Sequence, residues 1–397
     1  MLAFVVWEGL AGAVTGRRSW LLGLGVVVVG IGFMVLIGGN AAAGQAPLID
    51  SDPWHRVAER VARRPAIIAA VAVAVLAALA AGLLGTRIGL TQSEQFRVQA
   101  DSVSGYDIVA AHFPAGLTNP TLVVAPTASA SQVQQAIRST PGVASATEAG
   151  HSTSGLTKWS VVIDAAPSSE RVFKTVAALR HSTMAVSASA LVGGPDAQSL
   201  DVRDAAAHDR LMLIPSILAV ILIVLYVLLR SVLAPPTLFA ATILGALAAL
   251  GLGGWASMHV FGFPALDDST PLFAFFFLAA LGVDYTIFLV TRAREEAAQH
   301  GARDGMIRAL SATGGVITSA GIVLAAVFCV LGVLPLIVLT QLGIIVGLGI
   351  LLDTFIVRTL VIPALFALIG DRIWWPATNA KPVEQQADLA SHERSTV

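Results

Sequence analysis

Seven runs of about 20 mostly apolar residues, each long enough to cross a hydrocarbon layer about 30 Å thick, constrain this chain more than any other feature. They are Trp20–Gly39, Pro65–Leu84, Leu211–Leu229, Leu238–Val260, Leu272–Thr291, Ala312–Leu334 and Leu336–Val357, the last expected to continue as helix to about Ile369. Pro235-Pro236 separates the third run from the fourth, and Pro335 the sixth from the seventh. Proline ends a helix because it lacks a donor and clashes with the preceding turn. Of the 397 residues 56% are hydrophobic and 12% charged, against about 25% charged in soluble domains. With a mean hydropathy of +0.79, an ordinary soluble enzyme is excluded. A net charge of −1 gives no basic excess for nucleic acid. The single cysteine, Cys329, allows no disulfide or cysteine-based metal site within the chain, and the eight histidines have no metal-ligand spacing. Residues 1–19 carry Glu8 and Arg17-Arg18, and the apolar run after them has no clean cleavage site, which argues against a secretory signal.

Orientation follows from Lys and Arg in the short flanks. Arg230, the group Arg292, Arg294, Arg303 and Arg308, the pair Arg358 and Arg372, and the group Arg56, Arg60, Arg63 and Arg64 all lie in the cytoplasm if the last six spans alternate. Segment 85–208 is then extracytoplasmic, as is the short loop Phe261–Thr270. The first span breaks this pattern. Arg17 and Arg18 hold its N-terminus inside, yet the second span also starts inside, and residues 41–62, with Asp50, Asp52, Pro53, His55, Arg56 and Glu59, cannot cross as a helix. Either an odd number of crossings is missing between about Gln45 and Trp54, or the first segment is re-entrant or lies on the membrane. The expected organisation is an N-terminal membrane segment and linker over 1–62, a transmembrane helix over 63–84, an extracytoplasmic domain over 85–208, a five-helix transmembrane bundle over 209–370, and a cytoplasmic tail over 371–397. The tail is polar without periodicity from residue 376 and is expected to be disordered.

The extracytoplasmic segment is polar enough to fold in water. Strands are predicted at Thr121–Ala125, Val143–Thr147, Trp159–Asp164 and Ala188–Val192, and helices at Ala130–Ser139 and Ser168–His181, the second opened by Ser168-Ser169 with Glu170 in its first turn. The order β-α-β-β-α-β is that of the ferredoxin-like, split βαβ fold. A further helix, Leu200–Arg210, is expected to lead into the third span.

Few ionisable groups fall inside the spans. Asp284 lies 13 residues after Pro271 and 8 before Arg292, roughly 20 Å and about 12 Å from the two ends of its helix. An aspartate near a helix centre costs about 2.5–3.5 kcal/mol on insertion scales and normally faces a partner or a water-filled cavity. Burial favours its protonated form, so Asp284 is a candidate proton carrier, with Tyr285 adjacent as a hydrogen-bond donor. The alternative is a structural Asp satisfied by hydroxyls of another helix. Thr313, Gly314, Gly315, Thr318 and Ser319 make a small, polar cluster on the sixth span. Such clusters are more often helix contacts than relay partners. Asp353 and Arg358 are five residues apart, not the four that stack best. The pair reads as a structural ion pair near the inner interface, where Arg358 snorkels. The loop Arg292–Ala309 reads as an amphipathic surface helix or a solvated connector. No catalytic or phosphate-binding motif supports an enzyme.

Leu281-Gly-Val-Asp-Tyr-Thr-Ile-Phe-Leu-Val-Thr-Arg-Ala-Arg-Glu-Glu296 resembles the signature of the MMPL branch of the RND transporters. Leu351-Leu-Asp-Thr-Phe-Ile-Val-Arg-Thr-Leu-Val-Ile-Pro363, closed by Trp374-Trp375-Pro376, is similar to that family's last span. Gly105-Tyr106-Asp107, with Phe113-Pro114 after it, resembles the start of its second porter domain. The resemblance covers about residues 54–376 and points to the second half of a transporter built from two similar halves. Residues 14–47, with Thr15-Gly-Arg-Arg-Ser19 and Gly39-Asn40, resemble instead the first span of the first half. A deletion of the intervening porter domain and five spans would be odd in number of crossings, as the topology demands.

The resemblance implies an α-helical plasma-membrane protein with one extracytoplasmic porter domain, exporting lipids or hydrophobic compounds on the proton-motive force. Asp284 and Tyr285 would form the proton relay, with H+ as coupling ion and no cofactor or metal. Its partners would be membrane lipids, a hydrophobic substrate, and either a second copy or the missing first half. Two alternatives carry different expectations. A non-transporting remnant or membrane-anchored binding module would be indifferent to Asp284. An export helper resembling SecD and SecF would carry other motifs in place of the Gly-Val-Asp-Tyr run.

Overall fold

A computed structural model describes residues 53–97, 100–112 and 119–376. The expected first span, its linker up to Asp52, Phe113-Pro114 and the tail from residue 377 lie outside the described residues. Among the described residues five helices are long and apolar enough to cross a membrane: Pro65–Gly85, Pro195–Leu229, Ala234–His259, Thr270–Leu331 and Ile337–Trp374. They carry the six remaining predicted spans, because one of them holds two.

An amphipathic helix, α1 (Pro53–Arg63), precedes the first of these and buries Trp54, Ala58, Val61 and Ala62. Pro65 starts α2 (Pro65–Ala80), which tightens into a 3-10 turn over Ala81–Gly85. A short helix α3 (Asp101–His112) follows. Next come β1 (Thr121–Pro126), α4 (Ala130–Ser139), β2 (Val143–His151), β3 (Leu156–Ile163), α5 (Glu170–Val186) and β4 (Leu191–Gly193). The sheet order is β2-β3-β1-β4, and every neighbouring pair is antiparallel, with Val123 opposite Trp159 and Val192. Strand β1 buries alternate residues, the period-2 pattern of a sheet covered on one face. That face packs Val123, Trp159 and Val161 against Val133 and Ile137 of α4 and Leu179 of α5. Ser169 caps α5 by accepting the Val172 N–H at 3.3 Å.

The predicted helix Leu200–Arg210 is no separate element. It begins at Pro195 and runs without a break into α6 (Pro195–Leu229), even through Pro215. Its first turns bind the sheet domain through Arg180–Asp201 at 2.8 Å and Arg203–Glu170 at 2.6 Å. The apolar remainder is mostly exposed, with Val220, Ile223 and Val227 all facing outward, as suits a helix solvated by lipid. By contrast α7 (Ala234–His259) is largely buried and touches α2, α8 and α9.

Helix α8 (Thr270–Leu331) has 62 residues and turns at Gly301, whose φ of 77° and ψ of 166° suit a residue without Cβ. The Asp371 carboxylate accepts the Ala302 N–H at 2.7 Å and so caps the second arm. The predicted surface helix Arg292–Ala309 is therefore corrected: its first half continues the membrane helix. No proline or glycine falls between Arg292 and Gly301, and Arg292 stabilises the turn through Glu295 and Glu296, at 2.8 and 2.7 Å. The chain then forms α9 (Ile337–Leu352), a π-helix over Asp353–Val361, and α10 (Ile362–Ile369).

The stretch between α2 and α3 is pinned to the loops at one end of the bundle at two places. Gly89 N–H donates to Leu266 and Leu266 N–H to Arg87, both at 2.8 Å. Further on, Arg97 N–H donates to Pro335 at 2.8 Å, and the Arg97 guanidinium donates to the Gly332 carbonyl.

Candidate functional site

Asp353 and Arg358 form an ion pair within the last span. The i to i+5 spacing, which an α-helix would splay apart, is stacked here by the π-helix, whose hydrogen bonds close at i+5. Thr359 follows the same register, its hydroxyl donating to the Thr354 carbonyl at 2.8 Å. Arg358 does not snorkel to an interface. Its side chain is 3% exposed and points into the first arm of α8, donating to the Leu281 and Gly282 carbonyls at 3.2 and 3.3 Å. The Gly282 carbonyl also accepts from Thr286 at 2.7 Å.

The same guanidinium lies 4.7 Å from the ring centroid of Tyr285, well inside cation–π range. A cavity of about 10 Å³ opens beside it, lined by Leu278, Gly282, Tyr285, Asp353 and Arg358 among others. That is room for about one water. Arg358 Nε and Thr354 Oγ1 are buried with no hydrogen-bond partner among the described residues. The second arm of α8 closes the back of the cluster. A Cβ at Gly321 would stand 2.5 Å from Thr354 Oγ1, so only glycine permits this approach.

Asp284 stands differently from its sequence expectation. It is exposed, on a face of α8 it shares with Phe273, Phe276, Ala280 and Phe288. Among the described residues no hydrogen bond or ion pair reaches its carboxylate, although its charge acts on Arg358. The burial argument made for Asp284 thus applies instead to Asp353 and Arg358. Tyr285, one residue on and about 100° round the helix, faces inward to Arg358. The two neighbours consequently differ in surroundings, Asp284 exposed and Tyr285 half-buried against Arg358.

Of the other candidates, Thr313 and Ser319 bond within their own helix. Thr313 is buried and returns its hydroxyl to the Ala309 carbonyl of its own helix at 2.7 Å. Ser319 likewise bonds Val316 at 3.0 Å. Thr318 is buried as well. Gly314 meets the Trp54 ring of α1, so part of the small-residue run is a helix contact.

Gln341 is a residue the sequence reading passed over. It is fully buried at the opposite end of α9 from Asp353. Its Nε2 donates to Ala265 at 2.8 Å, and its Oε1 accepts from Asp267 N–H at 3.0 Å and Thr270 hydroxyl at 3.1 Å. The signal was available, since it is the one amide in the run Leu336–Val357.

The MMPL family profile matches residues 96–388. The chain is 44% identical over 363 residues to the putative membrane protein SCO0839 of Streptomyces coelicolor, covering 86% of this chain and 51% of that one. It is 38% identical over 381 residues to the putative membrane protein ActII-3 of the same organism, covering 96% and 53%. Over 182 residues it is 40% identical to the sulfolipid-1 exporter MmpL8 of Mycobacterium tuberculosis, covering 46% and 16%. The chain spans about half the length of the Streptomyces relatives it matches. It is a multi-pass membrane protein, and it belongs to the MMPL family.

Proposed function

We propose that this chain is one half of a proton-coupled exporter of lipids or other hydrophobic compounds, with Asp284 and Tyr285 as its proton relay. The observation that carries the reading is the Asp284 carboxylate, without a partner among the described residues, on an otherwise apolar exposed face of α8. Asp284 lies 14 residues from the start of α8 and 17 from Gly301, about 21 and 25 Å along the axis. A charge at that depth, facing lipid, is costly. A second surface packed over the Phe273–Phe288 face would bury it. We assign that surface to a second copy of the chain or to a chain equivalent to the rest of the longer relatives.

The chemistry follows from the charges around Arg358, Asp353 in contact with it and Asp284 acting through space. As an anion Asp284 attracts the guanidinium, and once protonated it does not. Asp353 holds the guanidinium against Tyr285 in both cases. Proton uptake therefore shifts the force on a side chain that bridges α8 and the π-helix. Each proton moved down the membrane potential supplies about 2.3 kcal/mol per 100 mV. The sheet domain is proposed as an extracytoplasmic porter domain of the split βαβ type. Its strand order β2-β3-β1-β4 and its covalent continuity with α6 support that reading. The exporter name of the sulfolipid relative supports a hydrophobic cargo.

The test is proton flux in liposomes carrying the purified chain and a trapped pH-sensitive dye, driven by an imposed gradient. Asp284→Asn is expected to reduce flux at least tenfold with the protein still inserted. Undiminished flux in that variant would remove Asp284 from the relay and the reading with it.

A further inference from the structure

A guanidinium brings more N–H donors than any other side chain, and each needs a partner once it leaves water. Arg358 is 3% exposed. Its Nη2 donates to the Leu281 and Gly282 carbonyls and meets the Asp353 carboxylate. Its carbon centre lies over the Tyr285 ring. Its Nε is buried and has no hydrogen-bond partner among the described residues. A buried ion pair is tolerated when its remaining protons are also hydrogen-bonded, and the side chains around Arg358 leave this one donor open.

The cavity of about 10 Å³ lies against the same groups. Its walls carry Arg358, Asp353 and Tyr285 among otherwise apolar side chains. Cavities that stay empty in proteins are apolar, whereas a polar one with room for a water molecule holds it by hydrogen bonds to groups otherwise unsatisfied. Charge narrows the choice of guest. Arg358 and Asp353 are the charged residues lining this cavity, and they are of opposite sign. The walls therefore favour a neutral guest over a halide or an alkali cation.

We infer that this cavity is a binding site for a single water molecule, held between the Arg358 Nε–H and the Asp353 carboxylate. The water accepts from Nε and donates to a carboxylate oxygen, with its second proton left for Tyr285. It gives the guanidinium a partner that turns with it, so Arg358 can answer a change of charge nearby without stranding a donor. The inference stands whether or not Asp284 carries a proton, and requires only the packing of α8 against the π-helix.

Gly282 supplies the test. It lines the cavity, and a Cβ there would stand 3.9 Å from both Asp353 carboxylate oxygens and 3.4 Å from the Thr242 methyl, which are ordinary contact distances. In a dry cavity Gly282→Ala adds a methyl to open space and removes a glycine from a helix interior, and both changes stabilise. At a water site the same methyl displaces the water and strands Nε. The full chain in detergent is therefore expected to unfold at a lower temperature as G282A. G282S, whose hydroxyl puts back a hydrogen-bonding oxygen, should recover most of the loss.

Hydroxyl-radical footprinting of the same samples, read by mass spectrometry, gives a second measurement, because a bound water labels the side chains it touches. Corrected for intrinsic reactivity, Tyr285 should be labelled well above Phe288, which is 49% exposed on the apolar face of α8, and G282A should lose most of the Tyr285 label. A raised unfolding midpoint in G282A would overturn the assignment. So would Tyr285 labelled no more than Phe288 in the unaltered chain, a comparison that decides alone if G282A does not insert.

Discussion

Asp353 and Arg358 are brought together by a π-helix that stacks positions five apart and buries the guanidinium beneath Tyr285. Breaking a buried pair from one side leaves an uncompensated charge, which typically costs about 3–5 kcal/mol. Arg358→Met should therefore lower the thermal unfolding midpoint in detergent markedly. The double variant D353L/R358M, which removes both charges, should recover much of that loss.

Asp284→Asn should behave in the opposite way. No hydrogen bond or ion pair among the described residues is lost, and a charge is removed from an apolar surface. Its thermal midpoint should equal or exceed that of the unaltered chain while proton flux is lost. A fall in midpoint comparable to that of Arg358→Met would assign Asp284 a structural role.

Gln341→Leu keeps an apolar side chain in α9 but strands the Ala265 carbonyl, the Asp267 N–H and the Thr270 hydroxyl. An unsatisfied buried polar group costs about 1–3 kcal/mol. Reduced stability is expected, together with faster hydrogen exchange confined to the loop between α7 and α8.

That loop also carries a pH dependence. Burial pushes the Asp268 carboxyl above its ordinary value of 3.8, Asp267 adds to the rise, and Arg210 and Arg203 oppose it. The folded chain thus binds this proton more readily than the unfolded chain. Stability from Asp268 is greatest in acid and is lost as pH climbs from about 3.8 through the raised value. Asp268→Asn should stabilise the protein at pH 7, and its advantage should shrink as the pH is lowered towards 4. Thermal midpoints across that range check the sign.

Gly321→Val inserts atoms where Thr354 already lies 2.5 Å from the position of a Cβ. Overpacking of this kind costs about 1–3 kcal/mol. The variant should be less stable, and the loss should be relieved in part by Thr354→Ala.

The spans and the sheet domain were legible because each follows from a local pattern. Helix α4 begins and ends where its composition says, and Ser169 opens α5 as a capping residue should. The last strand was not, since Leu191–Gly193 pairs with Leu122–Val124 by tertiary contact while Ala188 to Ala190 has no strand partner. The side of α8 that Asp284 occupies depends on which helices surround it, and hydropathy carries no such information. Asp353 and Arg358 read as an ion pair whose i,i+5 spacing stacks poorly on an α-helix; the π-helix that stacks them was not legible, because a change of helix type is invisible in a window of apolar residues. Gln341 was missed for want of a charge.

The two attachments of the stretch before α3, at Leu266 and at Pro335, carry a mechanical meaning. A tether fastened at two points holds apart what it joins, so the loop ahead of α8 and the loop ahead of α9 cannot drift along the rim independently of each other.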